Sequence, residues 1–215
     1  MLKERIEEAR RARRGRSSVP YFFCLDKLDL ADKLLETVQK KIHDPELSRE
    51  ARGQFVASAT TALEGYFREM LRKAIDEWHV DIHEIPELEK QRIHVADLEW
   101  IEAKRVSVGE LVRSACNFQS LENINKVFSG VIGRDFISAI RKHVNDCPIH
   151  GEERIREDFY EKVKELIELR HTFVHEVDFK ARYPMRELRD RVSALVEFVF
   201  FADGVLDKHR EATRD

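Results

Sequence analysis

Hydrophobic residues recur along most of the chain at spacings of three and four, the period of α-helices laid on a core. Leu25, Leu28, Ala31, Leu34, Leu35, Val38 and Ile42 predict one inward-facing helix, preceded by a short apolar stretch, Val19 to Cys24, that tucks onto the core. Asp44-Pro45 ends that helix and opens the next, because an aspartate caps free N–H groups and a proline fits the first turn. The strongest periodic signal follows: Phe55, Ala59, Ala62, Leu63, Tyr66, Phe67, Met70, Ala74 and Trp78 mark a long amphipathic helix.

Beyond it the pattern is broken. His79 to Val95 is charged, holds Pro86 and reads as a long connection, with His79, His83 and His94 as surface residues. Asp97 to Val106 fits a short helix or an extended segment equally well. Ser107-Val108-Gly109-Glu110 has the spacing of a capping box, so a helix should follow with Leu111, Val112 and Ala115 inward. Phe118 to Phe128 and Asp135 to Val144 predict two short helices, broken near Gly130 and Gly133. After a turn from Asn145 to Gly151, a further helix should begin near Glu152. Phe179 to Tyr183 connects it to a last helix starting at Pro184, with Leu188, Val192, Leu195, Val196, Val199, Phe200 and Leu206 inward. Its broad apolar face suits a central core helix or a dimer seam. The expected fold is all-α, an antiparallel helical bundle with a long early amphipathic helix, a late helix and a C-terminal packing helix.

Composition agrees with this class. Of 215 residues, 37% are charged and 42% hydrophobic, with few glycines and prolines, as in a water-exposed helical domain with a substantial core. Residues 1–18 are expected to form a basic helical extension, with Arg10, Arg11, Arg13, Arg14 and Arg16 diluted by Glu4, Glu7 and Glu8; residues 19–215 form a single helical domain. The extension could track RNA, but a solvated terminal helix is the simpler reading. The net charge of −3 means that any nucleic-acid contact must use local basic patches. Cys24, Cys116 and Cys147 have no disulfide-framework spacing and suit a reducing cytoplasm. The charged start from Lys3 predicts no secretion leader, and Val192 to Leu206, interrupted by Glu197 and Asp203, predicts a buried helix rather than a membrane span.

The late helix carries an anomaly. Tyr160, Val163, Ile167, Val174 and Val177 form an apolar seam, yet the position between Ile167 and Val174 is Arg170. A guanidinium left dry without partners is costly, so this place must be anionic or wet. On a helix His171 and His175 lie about 40° apart and Arg170 about 140° from His175, so Arg170 and His175 converge only if the long arginine side chain folds across or a second helix supplies the other wall of a groove. Arg forks onto phosphate through paired N–H donors, and His exchanges protons near neutrality. Glu64, beside the stripe of the long early helix, is a candidate partner for Arg170 that would orient the site, although solvation is the default for such a residue.

Arg170-x4-His175, with the polar His171 directly after the arginine, resembles the R-x(4–6)-H motif of the HEPN superfamily. The motif covers about ten residues, from Glu168 to Glu176, and the helical layout around it also resembles that superfamily. The resemblance implies metal-independent RNA cleavage by a homodimer, with no cofactor. In that reading His175 activates the ribose 2′-OH, Arg170 holds the phosphate, and His171 protonates the leaving oxygen or orients the substrate. The product is a 2′,3′-cyclic phosphate, and the setting is that of a toxin or of phage defence, where an inhibitor or antitoxin protein would be a further partner. Some HEPN toxins carry a modifiable Tyr two residues after the motif His; here that position is Val177, so control by that route does not carry over. The alternative is a catalytically silent HEPN-like module that binds RNA, a nucleotide or a protein partner.

Other chemistries fit less well. His171 and His175 have the spacing of two zinc ligands, and His143, Cys147 and His150 cluster in sequence, but no HEXXH order and no CxxC pair is present. A nucleophile elbow, a P-loop and a Rossmann glycine pattern are all missing. A compact helix-turn-helix with a basic recognition face is not seen either.

Overall fold

A computed structural model of the chain describes residues 18–41, 44–86, 88, 105–146, 158–175 and 183–213. Residues 1–17 of the extension expected over 1–18, the turn around Cys147 and His150, and the start of the late helix at Glu152 lie outside the described residues. Seven α-helices and one 3-10 turn, Ile82–Glu84, make up the described residues, among which there is no strand. They are α1 (Val19–Lys41), α2 (Pro45–Asp76), α3 (Val108–Ala115), α4 (Leu121–Ile132), α5 (Phe136–Asn145), α6 (Phe159–His175) and α7 (Met185–Ala212). Among them, no helix is long and apolar enough to cross a membrane.

α7 runs antiparallel to α1 and to α6. Ser18, at the start of α1, meets Asp203 late in α7, and Asp32 farther along α1 meets Arg189 near the start of α7 at 2.8 Å. Likewise Phe159 of α6 packs on Phe198 and Phe201 of α7, whereas Glu165 meets Arg191. The core centres on Phe67 of α2, whose ring contacts Phe118, Phe128, Phe136 and Phe198. α7 packs against α1, α2, α5 and α6 and is buried through most of Leu188 to Leu206, which makes it the core helix of the two roles its broad face allowed.

Local signals set most boundaries. Asp44 caps α2 by accepting from the N–H groups of Glu46 and Leu47, Ser107 and Glu110 form the expected capping box, and Asp135 caps α5. Four expectations need correction. Val19 to Cys24 is not a separate stretch but the opening of α1 itself. Leu34 was expected inward and is 59% exposed, because Leu35, about 100° round the helix, takes the core position. α4 runs straight through Gly130 and stops only at Gly133, whose φ of 66° is the left-handed cap conformation that glycine adopts freely. Ala115, also expected inward, is exposed at the end of α3.

Two anchored residues hold the bundle's ends. Asp203 is buried and accepts from the backbone N–H and the hydroxyl of Ser18 and from the hydroxyl of Tyr66, which ties the start of α1 to α2 and α7. Asp76, at the end of α2, accepts from the Ser107 hydroxyl and the Gly109 N–H, which docks α3 onto α2.

Candidate functional site

α6 is helical because its apolar positions recur at helical spacing, and Val163, Leu166, Ile167 and Leu169 are buried. α2 packs alongside it. Gly53 makes the close approach: a Cβ added there would stand 3.1 Å from the Phe173 ring. Phe173 in turn lies beside Tyr183, whose carbonyl accepts from Arg52 Nη1 at 3.3 Å, so the approach to α7 is tied back to α2.

Arg170 breaks the apolar face of α6 and finds an anionic partner. Its Nη1 donates to Glu64 Oε1 at 2.7 Å, with the Arg170 side chain 22% exposed and Glu64 itself 9% exposed. Glu64 is therefore not a solvated carboxylate; the structure realises the alternative, pairing across the α2–α6 boundary. The second oxygen of Glu64 lies 3.9 Å from Arg68 Nη2, one turn on along α2. One carboxylate thus stands between two guanidiniums, and in this half-buried setting each contact is worth more than it would be in bulk water.

Comparison with protein-family models, with characterised proteins and with solved structures finds no match. The likeness to the HEPN superfamily therefore rests on the Arg170–His175 spacing and on the helical layout.

His171 is exposed on α6, directly after Arg170. His175 is the last residue of α6; its side chain, that of Val174, and Val177 lie outside the described residues. Of the four sequence-predicted site residues, the structure brings Arg170 and Glu64 together across the α2–α6 boundary and sets His171 directly after Arg170 on α6. Arg68 was missed. The signal that could have found it is the i, i+4 spacing from Glu64 on a helix that was already predicted. Among the described residues no group of three or more His, Cys, Asp or Glu is placed to hold a metal ion. His143, one of the zinc candidates, has its ring nitrogen 3.1 Å from Lys208 Nζ and its ring edge-on to Phe201.

Chemically, the arrangement offers a fixed guanidinium. A guanidinium carries five N–H donors, so a carboxylate on Nη1 still leaves donors for a forked contact to a phosphate. Because the Glu64 carboxylate is buried and paired on both oxygens, it can hold Arg170 in one direction, as a preorganised electrostatic site requires.

Proposed function

We propose that this protein is a metal-independent endoribonuclease with its site at Arg170 and His175. The observation that supports it is the Arg170–Glu64 pair. An arginine on a core-facing helix position, five residues before a histidine and held by a buried carboxylate of a second helix, is what a phosphate-clamping site needs.

In this reading, neutral His175 takes the proton of a ribose 2′-OH. The 2′-oxygen attacks the adjacent phosphorus, and the bond from phosphorus to the 5′-oxygen breaks. The leaving 5′-oxygen takes up a proton, for which His171 is the candidate donor. The products are a 2′,3′-cyclic phosphate and a 5′-hydroxyl. Arg170 neutralises the charge that grows on the phosphate oxygens, and Glu64 positions Arg170. The 2′-OH restricts the chemistry to RNA. A homodimer supplies the second wall of the groove, the cytoplasm is the setting, and an inhibitor or antitoxin protein restrains the activity.

The same pair also favours a second reading. Glu64 already meets the charge of Arg170, as in a structural ion pair, and the domain would then bind RNA, a nucleotide or a protein partner without turnover. The chemistry of the products separates the two. Incubation with single-stranded RNA in excess EDTA should give fragments ending in 2′,3′-cyclic phosphate, and the same strand built of 2′-deoxynucleotides should stay intact. Unchanged RNA, or cleavage of both strands, removes the nuclease reading.

A further inference from the structure

Beside the Glu64–Arg170 pair, the side chain of Arg68 lines a half-open cavity of about 600 Å³ walled by α1, α2 and α3. Two kinds of surface meet in it. From α1 comes Phe23, a phenyl ring 59% exposed, with Lys27 Nζ 5.2 Å from its centroid. From α2 and α3 come Arg68, Lys73 and Arg113, three cations against one lining carboxylate, Glu69. Gly65 opens the α2 wall: a Cβ there would meet nothing within 4 Å.

The cations differ in how they are held. Arg113 Nη1 contacts Glu69 at 2.8 Å and Lys73 Nζ contacts Glu77 at 3.2 Å, in partly exposed pairs that solvent screens and a phosphate can compete for. Arg68 Nε is buried and has no hydrogen-bond partner, so its guanidinium has an unused donor. An exposed aromatic ring beside a cluster of cations is the arrangement that takes a base by stacking and its phosphate by charge.

We propose that this cavity holds one nucleotide of single-stranded RNA, its base stacked on Phe23 and its phosphate met by Arg68 and Arg113. The choice of RNA rests on the nuclease reading; the affinity for a base and a phosphate does not. Glu64 joins the two places, with Oε1 on Arg170 and Oε2 3.9 Å from Arg68, so the cavity lies one side chain from the phosphate position proposed at Arg170.

The test uses the full chain carrying His175→Ala, so that turnover does not consume the probe. A short fluorescein-labelled single-stranded RNA is titrated by anisotropy in EDTA at several salt concentrations, with circular dichroism confirming that each variant is folded. Adding Phe23→Ala should weaken binding roughly tenfold, while Phe23→Tyr should retain it. Adding Arg113→Ala should flatten the dependence of log Kd on log salt by about 0.7, the loss of one phosphate contact on a single strand. Binding by both folded variants that matches the parent overturns the assignment. In competition, AMP should displace the RNA only weakly; AMP as tight as the RNA overturns the strand in favour of a free nucleotide. Cleavage of RNA by the wild type, together with parental binding in Phe23→Ala, removes the cavity and leaves the nuclease. Binding lost in Phe23→Ala, in a protein that cleaves nothing, removes the nuclease and leaves the cavity as a nucleotide subsite.

Discussion

Replacing Glu64 by glutamine keeps the shape of the side chain and removes its charge. The carboxylate accepts from Arg170 at 2.7 Å, lies 3.9 Å from Arg68 and is 9% exposed. Hydrogen bonds to charged groups contribute about 1.5–3 kcal/mol, and partial exposure of Arg170 lets solvent recover some of the loss, so Glu64→Gln should cost about 1.5 kcal/mol. Glu64→Ala leaves the half-buried guanidinium without its acceptor and should cost about 2–3 kcal/mol. For a chain of this size the glutamine variant should melt roughly 3–6 °C lower. Urea unfolding followed by far-UV circular dichroism reads both changes. A double-mutant cycle of Glu64→Ala and Arg170→Ala isolates the pair, with an expected coupling of about 1 kcal/mol or more. Additivity within about 0.3 kcal/mol would refute the claim that Glu64 holds Arg170.

Three further predictions concern the frame around the site. Gly130→Ala should destabilise the protein by about 1–3 kcal/mol in urea unfolding, although alanine is the better helix former, because its Cβ would stand 2.5 Å from the Glu84 carbonyl oxygen and 2.9 Å from Ile85 Cα. Asp203→Asn should lower stability by about 2 kcal/mol in the same assay, since Ser18 and Tyr66 lose a charged acceptor; Tyr66→Phe should cost about half as much. Burial, with the Asp203 charge nearby, pushes the Cys24 thiol from its ordinary 9.0 up to about 12. The unfolded chain therefore binds fewer protons at this group between those values, and its contribution, complete below pH 9, is lost as pH rises towards 12. Against Cys24→Ala, the wild type should lose about 1.4 kcal/mol of relative stability per pH unit in that window, and equal pH slopes for the two proteins would contradict the assignment.

Much of the fold was legible because its signals are local. Asp44-Pro45, the Ser107–Glu110 box and Gly133 act through neighbouring N–H groups or a single backbone angle, and they set boundaries where the pattern placed them. What was misread depends on the far side of a contact. Leu34 and Leu35 carry the same side chain, and only the packing of α1 on α2 and α7 decides which faces water. Gly130 was read as a helix break, yet it is small because the chain at Glu84 and Ile85 crosses α4 there.

The site shows the same division. That Arg170 needs an anionic or wet setting follows from its place on an apolar seam. That Glu64 supplies it does not, because the two are 106 residues apart and Glu64 also has a local partner in Arg68. The cavity beside Arg68 is less legible still: it needs α1, α2 and α3 together, and no pattern within one helix announces it.

The central claim is that Arg170 and His175 cut RNA without a metal. The direct measurement is cleavage of labelled single-stranded RNA and tRNA in excess EDTA at low salt, by the wild type and by folded Arg170→Ala and His175→Ala. The account predicts cleavage by the wild type that both variants lose. No cleavage by the wild type, or cleavage that survives both substitutions, would contradict it.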